Sequence, residues 1–332
     1  MLLRKSKYLH LFMPIIRTMK DTVFRTYCRA RNFHPIWYHV LNREAKKIWH
    51  THQSDVPDAL TEGIIASLHR DGVAVTDVAS LFSRGLFDAA RRFAGEALAR
   101  PEIQGEIKRH ERMIVERVES GGQRKGAKKY LKDFIVEPYG STTDERIPDM
   151  RNPFIRMNLD ERVVHIAGSY MGIAPKLRGF SLRQTLPVPA GAAEYFSQRW
   201  HRDPEDRKML KMFIYMTDVL DERSGPFIYI KGSQPGGARG NVFPQHPPAA
   251  TYPEAGAVEK VVPRELMKMC LGRAGTVVFA DTSGLHKGGY TTAAPRLMYT
   301  GTFYSQASLT RHHLAVRDDV SALSPLARYA LE

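Results

Sequence analysis

Hydrophobic positions change their spacing along this chain. Between residues 55 and 172 they recur at three- and four-residue intervals, the period of amphipathic helices. Asp55-Val56-Pro57 opens a helix with Leu60, Ile64, Ile65 and Leu68 on one side, and Asp71-Gly72 closes it. Val73 to Val78 then reads as a strand. A second helix covers Ser83 to Arg100, with Leu86, Phe87, Ala90, Phe93, Ala94, Ala97 and Leu98 inward, and a third runs from Asn158 to Gly172. Beyond residue 177 the pattern becomes short apolar runs separated by turns. The strand candidates are Leu177 to Leu186, Met209 to Val219, Phe227 to Lys231, Gly275 to Ala280 and Arg296 to Tyr304. Gly, Pro, Asp and Ser punctuate them, as in Asp221-Glu222-Arg223-Ser224-Gly225-Pro226. Helices first and antiparallel-type strands afterwards predict an α+β fold with a β-sandwich or jelly-roll core.

Composition narrows this picture. The chain has 332 residues, 43% hydrophobic and 25% charged, which is the balance of a soluble globular protein and excludes wholesale disorder. One domain is expected over residues 51–332, with a helical part at 55–172 and a β-barrel at about 177–305. Cys28 and Cys270 are too few for a disulfide framework and form no zinc pattern, so a reducing cytoplasm is expected. No apolar run reaches membrane-spanning length, and no small-residue cleavage site follows the apolar stretch Tyr8 to Ile16.

Charge is uneven. The formal net charge is +14, and residues 1–50 contribute +9 of it, eleven Lys/Arg against Asp21 and Glu44. That segment also holds Leu9, Phe12, Ile15, Ile16, Phe24, Tyr27, Phe33, Trp37, Tyr38 and Trp49, with helix breaks expected near Pro14 and Pro35. It reads as a basic, partly helical extension. It is either a solvated arm or a docking element for an anionic membrane surface or an acidic partner. Residues 101–132 are dense in charge as well. They predict an exposed helix and then a basic loop around Gly121-Gly122 with Arg124, Lys125, Lys128 and Lys129, either a solvated face or a lid.

Candidate chemistry lies in the second half. Trp200-His201-Arg202-Asp203 precedes a strand-like run, and in an extended segment residues two apart point the same way. His201 and Asp203 can then grip one ion. His286 follows the apolar run Thr276 to Ala280 and completes two His and one carboxylate, the ligand set of non-haem Fe(II) oxygenases with coordination positions left open. In a chain with thirteen histidines each of these alone is an ordinary residue, and only the combination points to a metal. Arg296 opens the last strand candidate. Its planar fork suits the far carboxylate of a dicarboxylate co-substrate, with a surface ion pair as the alternative.

Three stretches carry a family resemblance: Phe196 to Asp203, Ser224-Gly225-Pro226-Phe227-Ile228-Tyr229-Ile230-Lys231-Gly232-Ser233, and Gly275 to Gly289. The chain resembles the phytanoyl-CoA dioxygenase family over about residues 177–305, more loosely over 57–176, and not over 1–50. The resemblance implies a double-stranded β-helix, Fe(II), 2-oxoglutarate and O2. It implies His201, Asp203 and His286 as iron ligands and Arg296 as the partner of the 2-oxoglutarate carboxylate. Succinate and CO2 would leave as a substrate C–H bond is oxidised, and Asp203, which halogenating relatives replace by a small residue, implies hydroxylation. Two departures stand out. Gly288 occupies a position where relatives often carry a hydroxyl, and Gln234 one where they often carry His.

Arg183, Lys211 and Tyr215 are expected at the barrel mouth in contact with substrate or co-substrate. For Arg183 this rests on strand parity, with a salt bridge in the barrel as the alternative. Trp200 is a further candidate contact, although packing beside the metal suits it better. A small-molecule or lipid-like substrate is expected. A nucleic-acid- or protein-modifying oxygenase would suit the basic charge, but no basic stripe interleaved with aromatics surrounds the metal candidates. A metal-free ligand-binding barrel is the alternative from another class. A serine hydrolase on Ser283 and His286 lacks a nucleophile-elbow pattern.

Overall fold

The computed structural model describes residues 21–53, 58–119, 134–140, 149–192, 194, 196–310, 314, 316 and 318–332. Residues 1–20, the helix opening at Asp55-Val56-Pro57 and the basic loop around Gly121-Gly122 lie outside them.

The strands are β1 (Val73–Asp77), β2 (Ile135–Gly140), β3 (Lys176–Thr185), β4 (Leu210–Tyr215), β5 (Phe227–Ile230), β6 (Met267–Cys270), β7 (Thr276–Ala280), β8 (His286–Gly288) and β9 (Arg296–Tyr304). They form a six-stranded sheet in the order β1-β7-β4-β9-β3-β2 and a three-stranded sheet in the order β6-β5-β8, with every pairing antiparallel. Sequence-distant strands are neighbours in the large sheet, and the chain crosses between sheets from β7 to β8 and back to β9. This is the double-stranded β-helix expected for an α+β chain.

Strand parity assigns each face of the large sheet. Residues paired across an antiparallel ladder share a face. Lys211, Phe213 and Tyr215 of β4 therefore stand with Thr302, Thr300 and Met298 of β9, while Met212 and Ile214 stand with Gly301 and Tyr299 on the other side. The first set faces the small sheet, where Phe213 and Tyr215 pack with Phe227, Tyr229, Cys270 and Val278. The second set joins the main core, with Phe154, Val163, Ile166, Tyr170 and Leu182. One face thus closes the barrel and the other carries the helices.

The helices follow the sequence signals with small shifts. Ala59–Asp71 begins at Asp58, whose carboxylate accepts from the Thr61 amide at 2.7 Å, and ends at Gly72 with φ 76°. Arg84–Ala99 matches its apolar stripe. The helix expected over Asn158 to Gly172 runs from Glu161 to Met171, because Asp160 caps it through the Arg162 amide at 3.0 Å, and a separate short helix, Pro153–Asn158, precedes it. Met209 to Val219 is strand only as far as Tyr215.

Part of the basic extension is built into the core. A π-helical turn, Ile36–Leu41, and the helix Arg43–His52 place Trp37, Ala45 and Trp49 among the buried core residues. Trp49 lies against Gly168, where a Cβ would collide with its ring. Glycine to alanine inside a helix ordinarily adds up to about 1 kcal/mol of stability. Gly168→Ala is expected to do the reverse and cost about 1–3 kcal/mol, because the buried indole has nowhere to move. Chemical denaturation of the variant checks this, and a gain in stability would show that Trp49 is not wedged there.

Candidate metal centre

Backbone pairing brings the two histidines together. The His201 amide donates to the His286 carbonyl at 2.9 Å and the His286 amide to the His201 carbonyl at 3.0 Å, an antiparallel bridge between the β3–β4 connection and the start of β8. A mutually bonded pair shares a face, so both imidazoles project to the same side, with ring centroids 4.1 Å apart. The Asp203 amide donates to the Thr282 carbonyl at 2.9 Å, which extends the pairing and brings the carboxylate onto the same side. His201, Asp203 and His286 each present a ligand atom within 4.8 Å of the others, all three buried. Nε2 of His201 is 3.6 Å from Asp203 Oδ1, and Nε2 of His286 is 3.8 Å from Oδ2.

The protonation states suit a cation. Nδ1 of His201 lies 2.8 Å from the Arg199 carbonyl oxygen and Nδ1 of His286 lies 3.0 Å from that of Gly284. A carbonyl only accepts, so each Nδ1 carries the proton and each Nε2 turns a lone pair to the centre. Burial pushes the His201 pKa down, and burial with His201 alongside pushes His286 down to about 3. Both rings are neutral near pH 7. Burial opposes ionisation of Asp203, yet Lys211 and the two histidines hold its carboxyl well below the usual range.

Arg202 faces the opposite way from its neighbours and is fully buried. Its guanidinium donates to the carbonyls of Phe243 at 2.7 Å, Ser233 at 2.5 Å, Ser283 at 2.8 Å, Gly240 at 3.3 Å and Val242 at 2.9 Å. One side chain thereby ties the ligand segment to two connections, β5–β6 and β7–β8. Asp281 is anchored in turn by the Tyr170 hydroxyl at 2.6 Å and the Ser283 hydroxyl at 2.5 Å. Ser283 is therefore committed to a carboxylate, and no hydrolase pair with His286 exists. Gln234 bonds the His69 carbonyl at 3.0 Å and joins its turn to a helix end.

Arg296 is 6% exposed and pairs across the sheet with Thr185, whose Oγ1 accepts from its Nη2 at 3.2 Å. Its Nε and Nη1 are buried with no partner. Such orphaned donors are expensive and rare, and a guanidinium so arranged is built to receive an oxyanion. The surface ion pair is excluded.

The remaining expected contacts are placed as follows. Arg183 does share the barrel-side face with Thr185, but edge strand β2 supplies Glu137 to its Nε at 2.8 Å and the pair is half-exposed. Tyr215 is buried inside the barrel with its hydroxyl already used, donating to the Cys270 carbonyl at 2.8 Å and accepting from the Phe227 amide at 3.1 Å. Trp200 packs with Ile230, Val258, Val262 and Leu285 and donates to Glu259 at 2.7 Å, on the side away from the ligands. Lys211 is at the centre, but its ammonium is bonded to Asp203 Oδ2 at 2.6 Å. Sequence reasoning missed Tyr252, whose ring stacks on His201 at 5.5 Å, and Thr185. Tyr252 lies in an irregular loop that gives no periodic signal.

No family model and no curated protein matches the chain. Among solved structures it is similar to EctD from S. alaskensis with bound Fe (17% identity, 80% of this chain and 83% of that one, TM-score 0.48). It is also similar to the non-heme alpha ketoglutarate dependent epimerase SnoN from nogalamycin biosynthesis (16% identity, 74% and 84%, TM-score 0.46). The carbocyclase SnoK from the same biosynthesis stands at 17% identity, 76% and 85%, and a TM-score of 0.45. Chemistry has to be read from this chain's own side chains.

Among the described residues, Lys211 is the ion-pair partner of Asp203 that is not a histidine, so it acts as an internal counter-ion. Removing one member of a buried pair costs about 3–5 kcal/mol. Lys211→Met is expected to lower the melting temperature of the metal-free protein and to strengthen Co2+ binding, since a competing cation is gone. Melting curves and Co2+ titration test both effects, and an unchanged metal-free midpoint would remove the counter-ion role.

Proposed function

We propose that this protein is a non-haem Fe(II)- and 2-oxoglutarate-dependent dioxygenase that hydroxylates a C–H bond of a small-molecule or lipid-like metabolite. The observation that carries the reading is a conjunction inside one barrel. Two neutral imidazoles and an ionised carboxylate converge on a point, and a buried guanidinium with two unused donors stands on the same inner face of the fold.

The donor set fits the metal. Imidazole and carboxylate suit Fe(II), and three protein ligands leave positions for co-substrate and dioxygen. The fit to 2-oxoglutarate is equally concrete. The guanidinium of Arg296, with donors still unused at Nε and Nη1, can receive its distal carboxylate. Thr185 Oγ1, beside that guanidinium, offers the hydroxyl that position 288 lacks. A Cβ at Gly288 would meet only the Ser197 carbonyl oxygen at 3.6 Å, so the glycine leaves room beside His286. With the group bound, the site would have the oxidising power for C–H cleavage, with succinate and CO2 released.

The chain's own residues do the rest. The carbonyls of Arg199 and Gly284 keep the imidazole tautomers, Lys211 keeps Asp203 charged, and the barrel excludes water from the reacting region. The carboxylate of Asp203 favours hydroxylation over halogenation. The excess charge of residues 1–50 is remote in sequence from these groups, which favours a small molecule over a nucleic acid.

An anaerobic Fe(II) titration with 2-oxoglutarate tests the proposal through the visible iron-to-keto-acid band. The band is expected in the parent protein and lost in His201→Ala. Arg296→Gln should need at least about tenfold more 2-oxoglutarate, as truncating a buried charge partner ordinarily does. A folded protein with no band would be a metal-free binding barrel instead.

A further inference from the structure

Residues 21–31 are helical and lead through Asn32 and Phe33 into the turn that buries Trp37. Their inner side is anchored. Cys28 is buried, Arg207 donates to the Asn32 carbonyl at 2.6 Å, and the Asn32 amide donates to Gln245 Oε1 at 3.1 Å. Trp37 Nε1 donates to Asp206 at 2.6 Å. The outer side is unusual for a protein surface. Val23 is 68% exposed, Phe24 52%, Tyr27 54% and Phe33 62%, with Val40 at 66% in the π-helical turn that follows. Val23, Phe24 and Tyr27 fall on one helical face by their spacing.

Basic groups stand beside this face. Arg25 and Arg29 are exposed on the same helix. Arg29, Asn32, Phe33, Arg207 and Asn241 line a cavity of about 330 Å³ between the helix and the loop before β6. The helix belongs to a stretch, residues 1–50, whose sequence carries a net charge of +9. Contiguous exposed apolar side chains mark an interaction surface. Aromatic and aliphatic side chains flanked by Lys/Arg are the composition of an interfacial helix.

We infer that the face formed by Val23, Phe24, Tyr27 and Phe33 docks on an anionic lipid surface. The apolar side chains enter the boundary between head groups and acyl chains, while Arg25, Arg29 and the basic cavity take the anionic head groups. Charge complementarity selects the anionic leaflet. The exposed aliphatic residues separate this surface from a nucleic-acid site, where phosphates would engage the arginines and leave Val23 and Val40 in water. Docking here is peripheral. Among the described residues no helix is long and apolar enough to cross a membrane. The inference is independent of the metal reading, since none of its residues is a candidate ligand.

Vesicle sedimentation with the full chain tests it. Phosphatidylcholine vesicles are compared with vesicles containing about 30% phosphatidylserine, and at least about tenfold preference for the latter is expected. The triple variant Phe24→Ser, Tyr27→Ser, Phe33→Ser should lose most of that binding while melting at the parent temperature, because these side chains are not in the core. Arg25→Gln with Arg29→Gln should weaken it and reduce its salt dependence. Three results would overturn the inference. They are no preference for phosphatidylserine, undiminished binding by the triple variant, and tighter binding to a DNA or RNA duplex that the triple variant retains.

Discussion

The pair of backbone hydrogen bonds between His201 and His286 is the constraint on which the rest depends. His201 lies in the irregular connection between β3 and β4, and His286 opens the three-residue β8, so neither has a long ladder of its own. Two bonds suffice to register them because Arg202 fixes the segment from behind through five carbonyl oxygens. Those carbonyls belong to loops that would otherwise hold buried, unpaired acceptors. Arg202 therefore satisfies the loops and aims the ligands in a single arrangement. Its burial lowers its pKa to about 10, which leaves it charged at neutral pH.

Parity carries this local order into the whole barrel. A strand shows one row of side chains to the helices and the other to the interior, so the same alternation that builds the core also delivers Lys211 and Arg296 to the inner face. The two cations then meet different fates. Lys211 finds Asp203 at 2.6 Å, whereas Arg296 finds only Thr185 and keeps two donors unused. A buried, paired charge is a structural element. A buried, half-satisfied one calls for a further partner.

This also explains what the sequence shows and what it hides. Period-2 and period-3.6 patterns mark the long elements, and His201, Asp203, His286 and Arg296 are legible because residue type and spacing specify them. Short strands are not. β8 has three residues, too few for a period, β6 is Met267-Lys268-Met269-Cys270 with no β-branched or aromatic residue to mark it, and β2 takes its place at the sheet edge through pairing with β3. Parity correctly put Arg183 on the inner face but could not show Glu137, which comes from a strand the pattern does not reveal. Tyr215 fails for a related reason. Its direction follows from alternation, but the use of its hydroxyl depends on Cys270 and Phe227, residues distant in sequence.

The extension before residue 50 shows where compositional reading stops. Its charge and its aromatics look uniform along the sequence, yet Trp37 and Trp49 are in the core while Phe24, Tyr27 and Phe33 are in water. The difference lies in a few bonds. Trp37 reaches Asp206, whose other oxygen accepts from the Ser305 amide at 2.7 Å at the end of β9, so that indole is tied into the barrel. The aromatics before it have no such partner, and the chain holds them outward by anchoring the opposite side of their helix. The same segment thus braces the ligand-bearing loop with one set of aromatics and presents the other set to whatever lies outside.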